Sequence, residues 1–158
     1  MIKEPQLNLE LVKSLLPLGH FEKFPGTKYS AGNPDIWGHY NFRPVYIEGK
    51  MLEWPKRDNS PMSLKHKLTD LQRGKITELA KGSFCFIAFY DLEHGCMYLL
   101  PWGLPITEAL LSKGITKKAF TGTVLSRLSR KGNRFAVGIY FERLMSRLIA
   151  KMVEKHGC

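Results

Sequence analysis

Chemistry in this sequence is most readily built from Pro34-Asp35 and from the run Ile47-Glu48-Gly49-Lys50, whose glutamate follows Asp35 by 13 positions. Val45 to Leu52 reads as a strand with an apolar start. On a strand, Glu48 and Lys50 point to the same face because they are two positions apart. Asp35 stands at the start of the preceding strand or turn, so pairing of the two strands would gather two carboxylates and one ammonium. Two carboxylates can hold a hard cation such as Mg²⁺, with waters and a phosphate completing the shell. A neighbouring lysine can orient or deprotonate a metal-bound water, or neutralise charge building on phosphorus. Metal-assisted phosphodiester hydrolysis uses those parts. The same spacing is also open to a purely structural role, with Asp35 capping a turn after Pro34 and Glu48 and Lys50 forming a surface pair on an edge strand.

The elements that must position these residues follow from periodicity and punctuation. Leu7, Leu11, Leu15 and Leu18 mark one face of a helix over residues 7–18, with Pro5 near its start and Pro17-Leu18-Gly19 at its end. Residues 19–34, rich in Gly, Pro, Lys and aromatics, read as a loop. Asp35 to Gly38 reads as a short strand, Tyr40 to Pro44 as a turn or hairpin, and Trp54 to Pro61 as a polar loop. Thr69 to Lys81 is predicted helical. Ser83 to Tyr90 (SFCFIAFY) is apolar enough for a central strand, with Cys96 to Leu100 as its hairpin partner. Ile106 to Ser112 suggests a short helix. A basic stretch over residues 123–137 turns at Gly132-Asn133, and Tyr140 to Lys155 closes the chain as an amphipathic helix with Leu144, Leu148 and Met152 on one face. This order predicts a mixed α/β fold with the sheet in the middle.

The chain has 158 residues, a length expected to form one domain over residues 1–158 with a core that needs no metal or disulfide staple. Its longest apolar run falls far short of the roughly 20 residues of a membrane span. The N-terminal MIKEPQLNLE lacks the apolar segment of a signal peptide. Cys85, Cys96 and Cys158 include no C-x-x-C pair, which favours a reducing, cytoplasmic setting. Net charge is +10, and its distribution is uneven. Residues 111–158 hold eleven Lys and Arg against two Glu, a field suited to a polyanion such as nucleic acid. Lys117, Lys118, Arg127, Arg130, Lys131 and Arg134 are the candidate DNA-backbone contacts. No zinc finger, homeodomain or RNA-recognition motif accompanies them, so recognition of shape or backbone is expected rather than base reading. The five histidines lack metal-ligand spacing, and His39 is noted only for its closeness to Asp35. Trp37, Tyr40, Phe42, Tyr46 and Trp54 are expected in the core or at its rim rather than as base-stacking platforms.

Taken together, Pro34-Asp35, Glu48-Gly49-Lys50, the flanks Tyr29-Ser30-Ala31-Gly32 and Val45-Tyr46-Ile47, and the helix opened by Thr69-Asp70-Leu71-Gln72 resemble the PD-(D/E)xK nuclease superfamily. The similarity lies with the branch of VRR-NUC nucleases and small Holliday junction resolvases, and covers residues 7–90. It implies a restriction-endonuclease-like α/β core, a mixed central β-sheet flanked by helices. It implies Asp35 and Glu48 as ligands of Mg²⁺ (Mn²⁺ substituting), Lys50 as the catalytic lysine, and Gln72 beside the metal placing water or phosphate. A first-helix acid often joins such sites; Glu10 is the choice here, with Glu22 the other candidate. Thr69 and Gln72 also match the S/T-x-x-E/Q capping box, an alternative use of Gln72, and Glu10 also fits a solvated helix position. The expected activity is a metal-dependent DNA endonuclease, foremost a structure-selective Holliday junction resolvase, then a nicking or restriction-type enzyme. A non-catalytic DNA-binding protein is the reading from a different class. Symmetric cutting of two strands would call for a homodimer, and the compact size would suit a phage or mobile element.

Overall fold

Alternation of side chains along the apolar run Phe84–Asp91 sets the architecture. Cys85, Ile87 and Phe89 fall on one side and Phe86, Ala88 and Tyr90 on the other, and all six are buried. A strand buried on both sides must lie between two layers. A computed structural model of the protein, describing residues 2–24, 32–65, 67–124 and 127–156, shows those layers. The strands are β1 (His20–Lys23), β2 (Ile36–Tyr40), β3 (Arg43–Met51), β4 (Phe84–Asp91), β5 (Cys96–Pro101), β6 (Leu128–Lys131) and β7 (Arg134–Phe135). They lie in that order across a seven-stranded sheet. Only β3 and β4 run parallel, because only they are joined by a crossover, which carries helix α2 (Asp70–Leu79). All other neighbours are antiparallel. This is the mixed central sheet flanked by helices that the resemblance implies.

One face of the sheet is covered by α1 (Glu4–Leu15) and α5 (Gly138–His156). Leu7, Leu11, Val12 and Leu15 of α1, and Phe141, Leu144 and Met145 of α5, pack there on Ile36, Val45, Ile47, Phe86, Ala88 and Leu99. The other face holds Ile87, Phe89, Tyr98 and Leu100 under Ile76 of α2, Leu110 of α3 (Pro105–Leu110), Phe120 of α4 (Lys117–Thr123) and the connection through Leu52, Met62, Leu64 and Leu68. Among the described residues no helix is long and apolar enough to cross a membrane.

Two hairpins share one turn chemistry. Asn41 and Phe42 join β2 to β3 with φ of 48° and 65°, and Gly132 and Asn133 join β6 to β7 with φ of 54° and 62°. Two-residue turns with both φ positive match the twist of the flanking strands.

The structure departs from expectation in three places. The stretch read as a loop contains β1, an edge strand whose only buried side chain is Phe21 and which therefore lacks an apolar alternation. Helix α4 lies where none was foreseen. α1 begins at Glu4, three residues ahead of its first leucine, since Pro5 occupies the first turn, where its missing N–H costs nothing. The flank Tyr29-Ser30-Ala31 lies outside the described residues, as does Cys158. Cys85 and Cys96 are buried free thiols, and burial pushes the Cys85 thiol up to about 12, far from thiolate chemistry.

Candidate active site

Strand register dictates how the carboxylates meet. Ile36 pairs with Ile47 across β2 and β3, so Asp35 stands opposite Glu48 where the ladder ends. The ladder is finished by a side chain: Asp35 Oδ2 accepts the Gly49 N–H at 2.9 Å. Glu48 and Lys50 emerge on the α2 side of the sheet, opposite Ile87 and Phe89 of β4. Both are buried, at 2% and 8% exposure, and Lys50 Nζ lies 3.7 Å from Glu48 Oε1. Asp35, Glu48 and Lys50 are therefore brought together at one corner of the sheet.

Electrostatics at this corner are dominated by burial. Desolvation, then the charge of Asp35 and a hydrogen bond with its carboxyl, push the Glu48 carboxyl up to about 9, against a partial offset from Lys50. Without a cation, burial thus favours protonated Glu48 at neutral pH, hydrogen-bonded to the Asp35 carboxyl. Two carboxyl groups held side by side with so little water favour whichever positive charge can enter, and hard cations take oxygen ligands of this kind. Among the described residues no set of three His, Cys, Asp or Glu side chains converges as a ready ligand cage. The donor set nonetheless fits Mg²⁺, which retains several waters and is often held by one or two carboxylates.

A third acid, absent from the candidates that spacing suggests, also approaches. Glu4, on the first turn of α1, accepts the Met51 N–H on Oε2 at 3.2 Å. Its carboxyl is raised, first by burial and against the pull of Lys50, with Asp35 raising it further. A cavity of about 240 Å³ opens beside it, lined by Glu4, Lys50, Met51, Glu53, Met62 and Lys67 among others. The available signal was Pro5, which marks a first helical turn and so places Glu4 on the helix.

The other predicted site residues are elsewhere. Glu10 is a correction: its oxygens take both Arg130 Nε and Nη2 at 2.8 Å, an arrangement that lowers its carboxyl. It sits about 9 Å along α1 from Glu4, on a helix that covers the opposite face of the sheet from Glu48. Glu22, on exposed β1, lies 3.5 Å from His20. Gln72 is turned into the capping box of α2: its Oε1 accepts the Thr69 N–H at 2.9 Å, and Thr69 Oγ1 accepts the Gln72 N–H at 3.1 Å. Of the candidate DNA contacts, Lys118, Arg127, Lys131 and Arg134 are exposed and Lys117 is half-buried. Arg130 is committed to Glu10 and to Asn133 Oδ1 at 3.2 Å. Gly49 is required by packing. A Cβ there would strike Asn8 Oδ1 and lie 2.9 Å from the Tyr90 ring, where Tyr90 donates its hydroxyl to Asn8 at 2.6 Å.

No protein-family model matches this chain, and no curated protein matches it by sequence. Among solved structures it is similar to Hjc of Archaeoglobus fulgidus, a Holliday junction resolvase from an archaeal hyperthermophile. The likeness covers 60% of this chain and 74% of that one, at 18% identity and a TM-score of 0.42.

Proposed function

We propose that this protein is a metal-dependent DNA endonuclease, selective for branched DNA of the Holliday junction type. The observation that carries the reading is the meeting of Asp35, Glu48 and Lys50 at the end of the β2–β3 ladder, in the order and strand context of the Pro-Asp…Glu-x-Lys motif. Asp35 and Glu48 would hold Mg²⁺, or Mn²⁺ in its place. When bound, the ion would supply Lewis acidity toward a phosphodiester and a water made more acidic. The chain's own contribution is placement. The Gly49 amide fixes the Asp35 carboxylate, and Met51 fixes Glu4. Lys50, held near Glu48 in a site with little water, offers its ammonium where negative charge grows on phosphorus, and such preorganised charge is worth most when water is excluded.

The exposed cations Lys118, Arg127, Lys131 and Arg134, with half-buried Lys117 beside them, would hold the phosphate backbone, while Arg130 anchors the β6–β7 hairpin. Each phosphate neutralised on duplex DNA adds about −0.9 to the slope of log affinity against log salt. Two symmetric cuts would need two such sites and hence a homodimer. The experiment is cleavage of a four-way junction, a linear duplex and a single strand, each with Mg²⁺ and with EDTA. Asp35→Ala and Glu48→Ala should abolish Mg²⁺-dependent cutting while leaving binding to the junction largely intact. Preference for the duplex would replace the resolvase reading by a nicking or restriction-type one. Variants that cut as well as the parent would refute the site.

A further inference from the structure

The sheet face that carries Glu48 and Lys50 continues, on β1, β2 and the start of β3, as a shelf of rings. The pairing Trp37↔Tyr46, His39↔Pro44 and His20↔His39 puts all of these side chains on that same face. His20 and His39 stack with centroids 5.2 Å apart, and Trp37 leans on both. Phe24 stacks on Tyr46 at 6.3 Å and 11°. The shelf lies at the rim of the core: Tyr46 packs against it, Trp37 and Tyr46 are half-buried, and His39 is exposed. Trp37, His39, Pro44 and Tyr46 border a shallow cavity of about 290 Å³ together with Phe42.

Phe42 is the least expected member. It is 100% exposed and sits at φ 65°, in the left-handed region that favours glycine or asparagine over an aromatic residue. A large apolar ring in solvent, on a backbone that penalises it, contributes nothing to folding that glycine would not exceed. Tyr46 precedes Glu48 by two strand positions, about 7 Å, a length that one extended nucleotide can bridge.

Resting on the nuclease reading, we infer that this shelf binds the unpaired nucleobases of a DNA strand that runs into the carboxylate corner. Trp37, Tyr46 and His39 provide ring faces for stacking, and Phe42 caps the outer end. Stacking on aromatic rings is indifferent to base identity because every base has a π-face. It also discriminates strongly against a fully paired duplex, whose bases are already stacked on one another. The occupant follows from continuity with the corner proposed to handle phosphate, since Tyr46 and Glu48 lie two positions apart on one face of β3. The shelf would thus supply selectivity for junctions, flaps or gaps, where strands are open.

The test compares binding, by fluorescence anisotropy in EDTA, of a thymidine 12-mer and an abasic strand with the same number of phosphates. The parent should bind the thymidine strand at least about tenfold more tightly, since one stacked base is worth about 1–3 kcal/mol. Trp37→Leu, His39→Ala and Phe42→Gly should each weaken the thymidine strand several-fold and leave the abasic strand unchanged. Phe42→Gly should do so while its melting temperature holds or rises, which separates the effect from misfolding. Equal affinity of the parent for the two strands, or equal losses on both strands in the variants, would overturn the shelf. Cleavage of a four-way junction by the parent in Mg²⁺, with Asp35→Ala as the inactive control, is scored separately. Stacking without cleavage would refute the nuclease alone, and cleavage without a base preference would refute the shelf alone.

Discussion

Replacing Glu48 by glutamine should stabilise the metal-free protein, although Glu48 is a proposed metal ligand. The folded protein keeps the Glu48 proton until about pH 9, while the unfolded chain releases it near 4.5. Between those values the unfolded state binds fewer protons than the folded state, so stability falls as pH rises, by about 1.4 kcal/mol per pH unit from this group. Below 4.5 both states hold the proton and the penalty vanishes. Above 9 both have released it and the loss is complete. At pH 7 the penalty is of the order of 3 kcal/mol. Glutamine removes it and can still donate to Asp35, so a net gain of about 2 kcal/mol is expected after imperfect hydrogen bonding is allowed for. Urea unfolding in EDTA across pH 5 to 9 measures this directly: the parent curve should slope downward and the Glu48→Gln curve should be flatter and higher at pH 7. Mg²⁺ should reverse the order, because an ion that binds only the folded parent stabilises it by mass action. A variant less stable than the parent in EDTA at pH 7 would refute the account of Glu48 as a buried, protonated carboxyl.

Three further outcomes follow from the same geometry. Arg130→Ala should cost about 3 kcal/mol in chemical denaturation by stranding the buried Glu10 carboxylate, with part of the loss regained when Glu10→Gln is added; a DNA contact with no anchoring role would leave stability unchanged. Gln72→Ala should lower stability by about 1 kcal/mol through the lost cap and leave the cleavage rate near that of the parent, whereas a large fall in rate at unchanged stability would return Gln72 to the metal. Gly49→Ala should cost about 3 kcal/mol through overpacking against Asn8 and Tyr90, read as a lowered melting temperature, and an unchanged one would show that the helix can shift to accept the methyl group.

How much of this was legible depended on whether the signal was local. The β3 and β4 strands announce themselves because alternation over eight or nine residues is a property of consecutive side chains. The convergence of Asp35 with Glu48 follows from them once the hairpin turn at Asn41-Phe42 fixes the register. The capping box of α2 was visible as Thr69-x-x-Gln72, and the structure uses it. Glu4 is not legible from the leucine periodicity, which begins at Leu7; only Pro5 places it on the helix. The partner of Glu10 could not be read at all. It lies 120 residues away, and no spacing rule links a helix carboxylate to a guanidinium on a strand at the far side of the sheet. The ring shelf escaped for a related reason: aromatic residues on short strands look like core until the covering layer is known to stop at β3.

The link between Glu10 and Arg130 also bears on how this chain can be cut into pieces. The acidic corner lies wholly within the first half of the sequence, which invites the notion of a minimal catalytic fragment ending after β5. Such a fragment would lack Arg130, the Phe135 amide that binds Ser14 Oγ at 2.9 Å, and the Phe141, Leu144 and Met145 side chains that roof the same layer. What was interior would become a greasy surface with a bare negative charge at its centre. Shortened versions of the protein should therefore precipitate rather than simplify, and the cationic tail is as much a part of the scaffold as the strands that precede it.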